Sequence, residues 1–157
     1  MSAARADVEQ AAELDMDSMP GHYIRRLQQV AVRLFAEEVG SDLTPVQFAA
    51  LVAIAQRQER GQIGLGQADL AAQIGYDRAT IGGVIDRLEG KGWVSRTPSR
   101  EDRRQNILAI TPDGERAMAL AAPSVQRVQS RFVSPLDPDE QQMFERMCRK
   151  LLGYHLG

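Results

Sequence analysis

Cysteine is nearly absent from this 157-residue chain, and the single one, Cys148, has no intrachain partner. A disulfide framework is excluded, and a reducing, cytoplasmic setting is expected. Histidine occurs only twice, at widely separated positions. A metal centre needs several His, Cys or carboxylate ligands together, so no metal and no cofactor is expected. Apolar runs are short. None reaches the roughly 18 residues of a membrane span, and the N-terminus lacks the basic-then-apolar order of a secretory signal, so neither span nor signal is expected. Positive charge is not in excess either: 19 Lys and Arg stand against 21 Asp and Glu, a net charge of −2. A non-specific nucleic-acid coater is basic throughout and is excluded, whereas a reader with its charge gathered on one face is not. A nucleophile elbow, a Gly-rich phosphate loop and a His/Cys/carboxylate cluster are all missing, which argues against an enzyme. There are no internal repeats.

What remains is 43% hydrophobic, with aromatics at only 5% and helix formers abundant. One mainly helical globular unit is expected. Its most informative stretch runs from Gly75 to Thr111. Ile81, Val84, Ile85 and Leu88 fall at i, i+3, i+4 and i+7, a single apolar helical stripe. The opposite side carries Arg78, Thr80, Gly82, Gly83, Asp86 and Arg87, almost nothing bulky. Two glycines inside a helix cost roughly 1–2 kcal/mol relative to alanine, and close approach to a DNA groove is a natural compensation. After Gly90 and Gly92, Trp93–Thr97 alternates as a strand, and Asn106–Thr111 supplies its antiparallel mate. From Lys91 to Arg104 there are five cations (Lys91, Arg96, Arg100, Arg103, Arg104) and two anions (Glu101, Asp102), a surplus of three on an acidic protein. Such a local surplus marks a phosphate-contacting loop. The pattern is a winged helix-turn-helix: a recognition helix beside an Arg-bearing wing.

The rest of the chain frames that stretch. Residues 1–19 are Ala-rich and acidic and read as a mobile arm or a marginal helix. Pro20-Gly21 reads as a break before a helix from His22 to Val39, with Ile24, Leu27, Ala31, Leu34 and Phe35 on one side and Gly40 at its end. Thr44-Pro45-Val46-Gln47 has the form of a capping box. It opens a helix to about Gln58 that buries Phe48, Leu51, Val52 and Ala55. Ile63 and Leu65 are candidates for a short strand against the wing. Gln67–Ile74 is a two-turn helix stopped by Gly75, and Asp77 caps the next. Thr111-Pro112 starts a long helix in which Pro123 predicts a kink, and Asp137-Pro138-Asp139-Glu140 starts a last one bearing Met143, Phe144, Met147, Leu151 and Leu152. Apolar stripes on helices outside the helix-turn-helix point to a dimerisation layer. A symmetric dimer presents two recognition helices about 34 Å apart, matching a pseudo-palindromic operator in double-stranded DNA. The fold class is therefore mainly α with a small β-hairpin wing (α+β). Its expected divisions are an arm (1–19), a dimerisation helix (20–43), the winged domain (44–111) and C-terminal dimerisation helices (112–157).

These residues resemble the MarR (multiple antibiotic resistance regulator) family of bacterial transcription regulators. Asp102-Arg103-Arg104, the apolar strand after it and Ile110-Thr111-Pro112-Asp113-Gly114 are similar to the family's wing signature. Asp86–Val94 resembles the end of its recognition helix, and Leu43–Leu51 its second helix. The resemblance implies that Arg104 enters the minor groove, oriented by Asp102, with Arg103 beside it. It implies that Arg78, Ala79 and Thr80 lie at base edges, that Gly82 permits close approach, and that Arg87 and Arg100 meet phosphates. Family members are released from DNA by small ligands, oxidants or metals, and oxidant sensors carry a reactive Cys near the first helix, which this chain lacks. A small aromatic carboxylate or phenolic ligand is the effector expected here. His22, Arg25 and Arg26 would supply cations and Phe48 an apolar wall, with Arg pairing bidentately to the carboxylate. The segment Pro20–Gln29 resembles members that govern aromatic-acid catabolism. Two other readings stay open: a winged-helix protein-interaction or architectural module, and a regulator triggered by oxidation of Cys148.

Overall fold

The computed structural model describes residues 15–61, 64–99 and 106–156. A single 3-10 turn at Met16–Ser18 leads into α1 (Pro20–Val39). Pro20 and Gly21 are thus the first two residues of the helix rather than a break before it. Proline's fixed φ and missing N–H suit the first helical position, so the residue that punctuates the sequence also starts the helix. Thr44 and Gln47 form the expected reciprocal capping box (3.3 and 3.1 Å) at the head of α2 (Pro45–Glu59). Strand β1 (Leu65–Gly66), α3 (Gln67–Ile74), α4 (Arg78–Gly90), β2 (Val94–Pro98) and β3 (Asn106–Ile110) follow in order. Two long helices complete the chain, α5 (Pro112–Val133), which runs through Pro123, and α6 (Pro138–Leu156). Asp137 and Glu140 cap α6 reciprocally, each accepting the other's backbone N–H at 2.9 Å.

The sheet is antiparallel in the order β1-β3-β2. Strands β2 and β3 pair as an antiparallel hairpin from Val94↔Ile110 out to Pro98↔Asn106. Strand β1 covers β3 only at Leu108 and Ile107. Beyond it, the Ile110 N–H donates to the side-chain Oε1 of Gln58 at 2.6 Å, so α2 completes the ladder that β1 leaves short. The start of α5 docks on the root of the wing. Thr111 donates from its N–H to the Trp93 carbonyl (3.0 Å) and from its hydroxyl to the Gly92 carbonyl (2.6 Å). Gly114 is buried there, and a Cβ on it would stand 2.1 Å from the Trp93 carbonyl oxygen. Only glycine permits that approach.

Two apolar clusters hold the chain. The larger joins α2, α3, α4 and the sheet, with Leu51, Ile54, Leu65, Leu70, Ile81, Ile85, Leu88 and Leu108 essentially removed from solvent. The smaller joins α1 to α5 through Leu34, Phe35 and Val128. Phe48 and Val39 pack against both clusters and sit at the seam. Ion pairs reinforce the α1–α5 contact: Glu38 meets Arg127 (3.0 Å) and Arg131 (2.7 Å), and Glu37 meets Arg131 (3.1 Å). Other apolar residues of the terminal helices have no such cover among the described residues. Ile24, Leu27 and Val30 of α1 and Met143, Met147, Leu151 and Leu152 of α6 are exposed, Ile24 and Leu152 by about three-fifths. Among the described residues, no helix is long and apolar enough to cross a membrane.

Candidate nucleic-acid interface

The helix-turn-helix is built from local signals. Gly75 at φ 75° ends α3 in the left-handed region, and the Tyr76 N–H closes back on the Ala71 carbonyl at 3.0 Å. Two residues later Asp77 caps α4, accepting the Thr80 N–H (2.8 Å) and the Thr80 hydroxyl (2.5 Å). These bonds hold the Asp77 carboxyl below the ordinary carboxylate range, the Thr80 hydroxyl contributing most. The Thr80 hydroxyl is therefore already engaged within the cap. The four stripe residues of α4 are buried as expected, which turns Arg78, Ala79, Thr80, Gly83, Asp86 and Arg87 to solvent and leaves Gly82 half-buried.

The glycines on this face have no internal reason to be glycine. A Cβ at Gly83 meets nothing within 4 Å, and one at Gly82 makes an ordinary 3.5 Å contact with Gln67 Nε2. Packing against a neighbouring helix does not explain them. The outward face of α4 is low and open, a surface to which a second body can come close.

Charge at the wing is distributed differently from the simple count. Arg96 is not a free cation: its Nη2 donates to Asp86 Oδ1 at 2.6 Å, and its Nε lies 3.6 Å from Glu89 Oε2. Asp86 thus pairs across to β2, not with Arg78 or Arg87 of its own helix. Lys91 is likewise engaged, donating to the Asp42 carbonyl and standing 4.5 Å over the Trp93 ring. The remaining wing cations are Arg100, Arg103 and Arg104. With Asp102 they fall in residues 100–105, outside the described residues.

The expected ligand residues do not converge in one chain. His22 is half-buried and its Nδ1 lies 3.4 Å from Arg25 Nη2; Arg25 and Arg26 are exposed on α1. Phe48, 6.5 Å from Phe35 between ring centres, lines a different place, a cleft of about 370 Å³ bounded by α1, α2, α3 and α5. Its polar lining is three amides, Gln56, Gln73 and Gln129. No spacing rule singled these out, because they come from three helices. Cys148 is half-buried along the groove between α5 and α6.

Comparison with known proteins agrees with the winged-helix fold. The MarR family model matches residues 43–105. The transcriptional regulator HosA of Escherichia coli is 30% identical over 132 residues, 84% of this chain and 93% of that protein. The transcriptional repressor NicR of Pseudomonas putida is 26% identical over 88% of this chain and 85% of its own. Among solved structures, PcaV of Streptomyces coelicolor in complex with its natural ligand superposes with a TM-score of 0.79 at 31% identity, covering 89% of this chain and 96% of that one. Bordetella bronchiseptica BpsR, whose DNA binding is regulated by 6-hydroxynicotinic acid, gives 0.78 at 27% identity over 88% and 96%. A mutant of E. coli MarR complexed with operator DNA gives 0.74 at 26% identity over 84% and 92%.

Proposed function

The chain belongs to the MarR family of transcription regulators, non-enzymatic DNA-binding proteins, and from that premise we propose that it acts as a homodimeric repressor released from its operator by a small aromatic carboxylate. The observation that carries the DNA assignment is the open outward face of α4, with its unexplained glycines and its exposed Arg78 and Arg87; the sequence between β2 and β3 adds Arg100, Arg103 and Arg104. In this reading α4 enters the major groove, Arg78 and Ala79 meet base edges, and Arg87 and Arg100 meet phosphates. Thr80 contributes at the base edges only as far as its bond to Asp77 leaves it free. Arg104, oriented by Asp102 and flanked by Arg103, reads the width of the minor groove. The uncovered apolar faces of α1 and α6 form the dimer, and two α4 helices then fall about one DNA turn apart on a pseudo-palindromic site.

The effector reading rests on the seam. A ligand between α2–α3 and α1–α5 touches the recognition domain and the dimer layer at once, so its binding can bias their relative placement. Phe48 supplies the apolar wall of that cleft. His22, Arg25 and Arg26 stand apart from it within one chain, so they can serve a carboxylate there only from the second copy, whose α1 belongs to the same dimer layer. NicR is a repressor, and BpsR answers to a hydroxylated pyridine carboxylate, which supports both halves of the proposal.

A gel-shift titration on the DNA upstream of the protein's own gene, repeated with a panel of aromatic carboxylates, tests it. Loss of the shift with one compound supports the proposal, and a shift that no compound disturbs removes the carboxylate. Replacement of Arg25 or Arg26 by alanine is expected to blunt the response more than DNA affinity. An unchanged response in both variants takes these residues out of the pocket.

A further inference from the structure

We propose that Arg96 is a positioning residue that locks the wing to the recognition helix, with Asp86 as its acceptor, and that neither side chain contacts DNA. This rests on the operator-binding reading above and adds to it the means by which the two DNA-facing parts keep their spacing. Arg96 leaves the third position of β2, and its side chain is only 23% exposed, whereas Asp86 and Glu89 are 67% and 43% exposed. Asp86 and Glu89 lie three residues apart, hence on one side of α4. The guanidinium bridges from the strand to that side, close to Asp86 (2.6 Å) and farther from Glu89 (3.6 Å). Its Nε is buried with no hydrogen bond to any described residue, so that edge of the guanidinium is shut in while Nη2 reaches the exposed Asp86.

Two consequences follow. The chain between α4 and β2 is only a tight turn through Gly92, so a cross-link at the third strand pair beyond it sets the angle between helix and hairpin. The pair also neutralises Asp86, which otherwise faces approaching phosphates as a bare carboxylate. An ion pair this near the surface adds little to folding, so its removal separates DNA affinity from stability.

The test is a thermodynamic cycle on the full chain: wild type, Arg96→Met, Asp86→Asn and the double variant. Each is titrated with the duplex upstream of the protein's own gene and with a scrambled duplex, from about 50 to about 200 mM salt. Arg96→Met is expected to weaken binding to the upstream duplex about tenfold and Asp86→Asn less, because Glu89 remains. The double variant should be no worse than Arg96→Met. The slope of log affinity against log salt and the melting temperature should stay at the wild-type values. A slope reduced by about 0.9 in Arg96→Met reveals a lost phosphate contact and overturns the proposal. Additive losses, or unchanged affinity, also overturn it. Wild-type protein that binds both duplexes equally contradicts the operator reading instead. In that case amide hydrogen exchange of residues 94–98, measured without DNA, decides the latch: faster exchange in Arg96→Met supports it and equal exchange overturns it.

Discussion

Gly83 sits on the solvent face of α4 with room for a methyl group. Its replacement by alanine should raise stability by about 0.5–1 kcal/mol, the ordinary helix-interior difference, and move the melting temperature up by a few degrees. If the bare backbone is there to approach DNA, operator affinity falls in the same variant. Stability and affinity moving in opposite directions is the signature of a residue kept for contact, and a more stable variant of unchanged affinity would remove that role. Residues such as Gly75 and Asp77 were legible in the sequence because their bonds close within four positions. Arg96 was not. Its acceptor lies ten residues away on another element, and a count of cations cannot show that one of them is already paired.

At the scale of elements, helix starts and stops were readable and docking was not. The capping box at Thr44 and the left-handed stop at Gly75 follow from short-range chemistry. The bond from Ile110 to Gln58 spans 52 positions and needs the sheet already formed. Gly114 stands between the two cases. It matches the wing signature that the family resemblance supplied, but its reason is the Trp93 carbonyl against which α5 rests. Gly114→Ala should destabilise by about 2–4 kcal/mol, because backbone has to move, and chemical denaturation measures it; a loss under about 0.5 kcal/mol would contradict that packing. The α1–α5 contact carries its own pH dependence. Hydrogen bonds from Arg127 and then Arg131 hold the Glu38 carboxyl below the ordinary glutamate value. A depressed folded-state pKa adds stability that is complete above the unfolded value of about 4.3 and is lost as the pH falls through the lowered one. Melting curves at about pH 6 and about pH 3 should therefore diverge less in Glu38→Gln than in the wild type. An equal drop in both would show that the pairs contribute nothing.

At the scale of the whole molecule, the exposed residues of α1 and α6 are the largest departure from a self-sufficient fold. Their periodicity was visible in the sequence, yet a stripe reads the same whether it meets its own chain or another. Met147 and Leu151 are half-exposed while the α4 stripe is closed, and that difference is the ground on which a second copy is proposed to cover the former. Leu151→Glu should convert a dimer to a folded monomer by light scattering and weaken operator binding with it. A variant that stays dimeric would move the interface elsewhere.

The most direct measurement of the central claim is a fluorescence-anisotropy titration of the upstream duplex against a scrambled duplex of equal length, for the wild type and for Arg104→Ala. The account predicts two chains per upstream duplex, a preference over the scrambled one on the order of a thousandfold or more, and weakened binding in a variant that melts like the wild type. Equal affinity for the two duplexes, or unchanged affinity in Arg104→Ala, would contradict it.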